Sequence, residues 1–203
     1  MSFLVPSLTS PLSLLLKKRS IFVSYHHDRD QLYYDAFSRL FCDTYDIIKD
    51  NSVDRIFDSD DPEYVMRRIR ENHITGSSCT IVLCGPETRW RKYVDWEIKA
   101  TLDKNHGLIG INLPHNPKDI WGRVHKPDRL QENIDIGYAL WKEWNELINL
   151  PSLLKLSIES AIDRSETFSC QNDRPMRQRN GENYANPIER LLLPQSWPGK
   201  TIR

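Results

Sequence analysis

The 203-residue sequence is short of the features that mark several protein classes. It holds four cysteines, Cys42, Cys79, Cys84 and Cys170, and no two form a Cys-x-x-Cys pair. This excludes a disulfide scaffold and a cysteine-based zinc ribbon, and the usage suits a reducing, cytoplasmic setting. No glycine-rich phosphate loop is present, which counts against a Rossmann dehydrogenase. No Ser-His-Asp or Cys-His set has an interpretable spacing. His115 and His125 flank a loop, but a metal site there needs ligands the sequence does not supply, so no metal is expected. The charge has no excess of either sign, with 28 Lys+Arg against 28 Asp+Glu. A dedicated nucleic-acid binder carries a basic excess, so no nucleic-acid partner is expected. Long apolar runs are also missing. The leucine-rich stretch 1–16 contains serines and prolines, and Lys17, Lys18 and Arg19 follow it, whereas a signal peptide has its charges first. We read it as a tail and expect no membrane partner.

What remains is an ordinary core diluted by polar ends. Apolar residues make up 39%, below the usual ~45–50%. Ser20–Tyr25 (SIFVSY) reads as a buried strand and HHDRD as a polar loop after it. From Gln31 to Cys42 the residues Leu32, Tyr33, Ala36, Leu40 and Phe41 recur at helical spacing. Asp54–Phe57 reads as a short second strand closed by the turn DSDDP. Pro62 then suits a first helical position with Asp61 as its cap, and Val65, Met66 and Ile69 mark the inner face. Cys79–Cys84 (CTIVLC) and Leu108–Leu113 (LIGINL) are nearly unbroken apolar runs, as in parallel strands covered on both faces. Between them, Trp90 to Lys104 is the most clearly amphipathic helix. Beyond Pro114 we expect a loop over 115–129, a strand within Ile134–Trp144, a last helix over Pro151–Arg164, and a basic extension from there on. Strand–helix alternation at this spacing gives an α/β fold with a central parallel sheet and helices on both faces. The expected divisions are a tail over 1–18, one domain over 19–165 and an extension over 166–203.

In such a sheet, ligands bind beyond the C-terminal ends of the strands. Three loops qualify by position: Tyr25-His26-His27-Asp28, Asp58-Ser59-Asp60-Asp61 and Gly85-Pro86-Glu87-Thr88. Each also reads as a solvated turn. On the helix after the third strand, Val94 and Ile98 lie one turn apart and face the sheet. Glu97 sits at the border of that face. It fits two readings: a partly desolvated carboxylate facing a ligand's developing positive charge, or an exposed glutamate paired with Lys or Arg.

The order FVSYHHDRD, buried CTIVLCG, and Tyr93-Val94-Asp95-Trp96-Glu97-Ile98 resembles TIR domains. These often show Trp-x-x-x-Glu on that helix; here Tyr93 stands in the aromatic place. Within the superfamily the chain is similar to the ThsB-type proteins of Thoeris antiphage defence. The resemblance implies a flavodoxin-like TIR fold with strand order 2-1-3-4-5. It also implies NAD⁺ as substrate, cleavage of the nicotinamide–ribose bond, and an ADP-ribose-derived signal received by a separate effector protein. Glu97 matches the catalytic position. A fixed carboxylate there would stabilise the oxocarbenium-like ribose left when nicotinamide departs. Tyr25 would stack on a ring, His26 or His27 would contact phosphate or ribose, Asp58 and Ser59 would line the far wall, and Tyr93 would complete the substrate-binding set. No cofactor beyond NAD⁺ as substrate is implied, and self-association is expected. Two rivals remain at this level: a non-enzymatic TIR scaffold, and a nucleic-acid-processing enzyme drawing on Asp58, Asp60 and Asp61.

Overall fold

The computed structural model describes residues 18–48 and 62–181. Five strands form one sheet in the order β2-β1-β3-β4-β5, parallel throughout. The strands are β1 (Arg19–Ser24), β2 (Tyr45–Ile48), β3 (Cys79–Cys84), β4 (Gly107–Asn112) and β5 (Leu140–Glu143). β3 is buried at every residue, as is β4. Their continuous apolar character is what a sheet with two covered faces requires.

One face carries Ile21, Val23, Ile81, Leu83, Ile109 and Ile111. It packs against α1 (His27–Phe41) and, beyond β5, α5 (Trp144–Asn149) and α6 (Ser152–Thr167). The opposite face carries Phe22, Val82, Cys84 and Leu108, covered by α2 (Pro62–Ile69), α3 (Lys92–Asp103) and α4 (Asp128–Asp135). In α3, Val94 and Ile98 face the sheet as expected. The register of α3 is set by a buried hydroxyl pair, Thr80 Oγ1 to Thr101 Oγ1 at 2.7 Å.

Several local expectations differ from the structure. Helix α1 begins at His27, so HHDRD is mostly a first helical turn. Asp28 and Asp30 lie in that turn, where carboxylates complement the helix dipole. Its inner face uses Phe37 and Phe41, while Leu32 and Leu40 are exposed. The second strand of the sheet is Tyr45–Ile48; Asp54–Phe57 lies outside the described residues. Within 115–129 the loop ends early, because α4 begins at Asp128 and runs into the span expected as a strand, leaving β5 only four residues. The last helix extends to Thr167, and Leu156 on it is exposed.

The largest addition is at the C-terminal side. Residues 168–181 lie as a strap across α3 and α4. Arg129 of α4 is fully buried and donates to Asp95 Oδ1 at 3.0 Å, Asn172 Oδ1 at 2.9 Å and the Arg174 carbonyl at 2.9 Å. The Trp96 indole N–H donates to the Arg177 carbonyl, and the Arg177 N–H to Asp95 Oδ2. Asn180 Oδ1 accepts the Lys92 N–H at 2.8 Å, capping the first turn of α3.

Candidate functional site

Parallel strands β1, β3 and β4 end side by side, and the segments after them meet at one carboxylate. Asp30, in the first turn of α1, is completely buried. Its Oδ1 lies 2.9 Å from His115 Nε2, in the loop after β4. Its Oδ2 accepts a hydrogen bond from Thr88 Oγ1 at 3.0 Å, in the loop after β3. Thr88 Oγ1 in turn accepts the Gly85 N–H at 2.9 Å. A Cβ at Gly85 would stand 2.1 Å from Asp30 Oδ1. Glycine is therefore required where β3 ends, so that the carboxylate can approach the backbone. Burial pushes the Asp30 carboxyl pKa up, against hydrogen bonds from Thr88 and His115 that pull it down.

Next to it stands His26, 4% exposed. Its Nε2 is 3.5 Å from Glu87 Oε2, and neither ring nitrogen has a hydrogen-bond partner among the described residues. Burial first, and the Arg91 guanidinium second, push its pKa down to about 4, so the ring is neutral at pH 7. Glu87 also pairs with Arg91 and with Arg29 at 3.2 Å. The His115 ring stacks parallel on Tyr33 with centroids 4.7 Å apart, and its Nδ1 has no hydrogen-bond partner among the described residues.

Glu97 is buried, 2% exposed, and not at a border as the spacing suggested. It lies one turn closer to the strand C-termini than Thr101, whose hydroxyl donates to the Glu97 carbonyl. Tyr25 is buried, stacked on Tyr34 at 4.3 Å with rings 7° apart, and donates its hydroxyl to Gln31 Oε1. His27 is half-buried and touches the Tyr25 ring at 4.2 Å. The expected ligand platform Tyr25 thus packs against protein rings. Tyr93 packs in another cluster, between α2 and α3, edge-on to Trp96 at 5.5 Å. The reason is the same for both: a large ring gains most by burying its faces in the core. Asp58 and Ser59 lie outside the described residues. A cavity of about 90 Å³ lies under the strap, lined by Arg89, Asp95, Asp128, Arg174 and Arg177 among others. No group of acids, histidines and cysteines suited to a metal occurs among the described residues.

Residues 22–118 match the sequence model of a family described as the Thoeris protein ThsB, TIR-like domain. Over these residues the chain is similar to the TIR-like domain of ThsB. The match begins within β1 and ends just past His115, so it spans Asp30, Gly85, Thr88, Glu97 and His115, while the strap lies beyond it. A solved assembly is similar at a TM-score of 0.34 and 9% identity, covering 73% of this chain and 84% of that one: the TIR domains of the activated Roq1 resistosome directly recognizing the pathogen effector XopQ. At that level the likeness adds nothing to the family match. No curated protein matches the chain in sequence.

Asp30, Gly85 and Thr88 all fall in or beside the TIR-like motifs, but only position singles out their loops. His115 reads in the sequence as no more than a poor metal ligand. The strand-edge rule that selects the loop after β3 applies equally to the loop after β4, and it would include His115. No helix among the described residues is long and apolar enough to cross a membrane.

Proposed function

We propose that the chain is an NAD⁺-consuming enzyme of antiphage defence. It acts in the cytoplasm, breaks the nicotinamide–ribose bond and makes an ADP-ribose-derived signal for a separate effector. The observation that supports this most directly is Glu97: a buried carboxylate on the sheet-facing side of α3, inside the segment that matches the ThsB TIR-like family. Loss of neutral nicotinamide leaves positive charge on the ribose. A fixed carboxylate in a water-poor setting stabilises that charge more than it stabilises the ground state. Its preorganisation comes from α3 itself, whose register the Thr80–Thr101 pair fixes and whose first turn Asn180 caps.

The test is incubation of the full chain with NAD⁺, with and without lysate of phage-infected cells, followed by mass spectrometry of every ADP-ribose product. Glu97→Gln keeps the shape and removes the charge. Turnover is expected to fall by about 10²–10³, with protection against phage lost and NAD⁺ binding retained. Thermal melting runs alongside, because a buried position carries packing as well as chemistry. Full protection by a folded Glu97→Gln protein would favour a TIR scaffold acting through self-association or partner docking.

A further inference from the structure

Three observations set the Asp30–His115 pair apart. First, Asp30 is fully buried with both oxygens engaged, by Thr88 and by His115. Second, His115 is held by that carboxylate at one nitrogen and by ring stacking on Tyr33, yet its side chain is 29% exposed. Third, the other ring nitrogen, Nδ1, is shielded from solvent and has no acceptor or donor among the described residues. An unmatched buried polar atom costs about 1–3 kcal/mol, so a side chain fixed from two directions around such an atom points to a ligand group. A second buried imidazole with both nitrogens unmatched, His26, lies at the same sheet edge. The cavity under the strap differs. Its Arg89, Arg174 and Arg177 all lie within ion-pair distance of Asp128, at 3.8, 3.6 and 3.6 Å, so each guanidinium already faces a carboxylate of this chain.

We propose that His115 is the general base for the hydroxyl that attacks the ribose, and that Asp30 is its positioning residue. This rests on the NAD⁺ reading above. With Nε2–H donating to Asp30 Oδ1, the tautomer leaves a lone pair on Nδ1 to accept a proton. In the step, the ribose C1′–N bond breaks and its electron pair leaves with neutral nicotinamide. A hydroxyl oxygen forms the new C1′–O bond. The hydroxyl proton passes to His115 Nδ1, and the Asp30 carboxylate holds the resulting imidazolium until product departs and the proton passes from Nδ1 to water. The attacking hydroxyl belongs to water or to a sugar. The two are told apart by product mass, since water gives ADP-ribose and an internal sugar hydroxyl gives a cyclic ADP-ribose lighter by one water.

The full chain, with and without infected-cell lysate, is assayed as wild type, His115→Ala, His115→Gln and Glu97→Gln. Loss of a general base lowers kcat by about 10²–10⁴, and both His115 variants are expected in that range with KM nearly unchanged. Added imidazole is expected to restore His115→Ala by about tenfold or more while leaving Glu97→Gln inactive. A folded His115 variant that turns over like wild type, beside an inactive Glu97→Gln, overturns the base and leaves the NAD⁺ reading standing. A loss that imidazole does not restore assigns His115 a structural role and also overturns the base. No NAD⁺ consumption by wild type in either condition overturns the NAD⁺ reading and this proposal with it.

Discussion

At the residue scale, the C-terminal edge of the sheet is built from groups held against their ordinary preferences. His26 is a neutral imidazole in a site where protonation is penalised by burial and by Arg91. A histidine takes up a proton near pH 6.5 when unfolded, and here only near 4. Between those values the unfolded chain binds more protons than the folded one, so His26 makes stability fall as pH drops through that window and level off below it. Asp30 works with the opposite sign, since a raised carboxyl pKa favours the folded state at low pH. His26→Gln isolates the first effect. We expect its urea midpoint to depend less on pH between about 6.5 and 4 than that of wild type. An unchanged slope would show that His26 does not titrate out of place. Gly85 is the second case. Asp30 is pinned by Thr88 and His115, so it cannot yield to a Cβ 2.1 Å from its oxygen. Gly85→Ala is expected to cost about 1–3 kcal/mol, in the range of overpacking, and to release His115 from its carboxylate. Urea denaturation reads the first and histidine-ring ¹⁵N NMR the second. None of this is visible in the sequence, where Gly85 reads only as the stop after an apolar strand.

At the element scale, the strands of the sheet centre are legible in the sequence because both their faces are buried. β1, β3 and β4 lie within about a residue of the expected runs. The elements at the margins are not. β2 has the pattern Tyr45-Asp46-Ile47-Ile48, with Asp46 exposed and both isoleucines only partly covered, so its signal is weak. β5 is four partly exposed residues that come soon after a helix whose polar residues hide it. Helix α3 is legible, but the burial of its polar residues is not. Asp95, Glu97 and Thr101 are all buried, because neighbours distant in sequence cover them. Asp95 shows how strongly. It faces fully buried Arg129 at 3.0 Å and accepts the Arg177 N–H. Removing one member of a buried ion pair strands the other charge, at a cost of about 3–5 kcal/mol. Asp95→Ala is therefore expected to lose that much in urea unfolding. A double variant, Asp95→Ala with Arg129→Met, should recover most of it. A double variant no better than the single would mean that the strap, not the carboxylate, satisfies Arg129.

At the scale of the whole molecule, a TIR-like sheet is completed by a segment beyond the family match. The matched region ends at residue 118, yet α4, β5, α5 and α6 come after it before the chain returns to cross α3. The basic composition of this segment suggests a solvated extension. The structure instead pairs Arg174 with Glu132 and Asp128, and Arg177 with Asp128. These partners sit over 40 residues earlier in the chain, where no periodicity can reveal them. The strap meets Arg129, Trp96, Asn133 and the first turn of α3 through hydrogen bonds. It also lays Met176 and Cys170 against two core clusters. At about 0.5–1.5 kcal/mol net for each hydrogen bond, its loss approaches a large share of the ~5–15 kcal/mol that holds an ordinary domain together. Two truncations separate the strap from the residues after it. A chain ended after Gly181 keeps the whole strap and serves as the reference. A chain ended after Phe168 is expected to lose about 5 kcal/mol, and to lose any NAD⁺ turnover with it, because α3 gives up its Asn180 cap and the anchor of Trp96 one residue before Glu97. If the shorter chain keeps its midpoint but loses turnover, the strap sets the position of α3 without supporting the fold. If it keeps both, the sheet and helices hold α3 unaided and the strap is only cover.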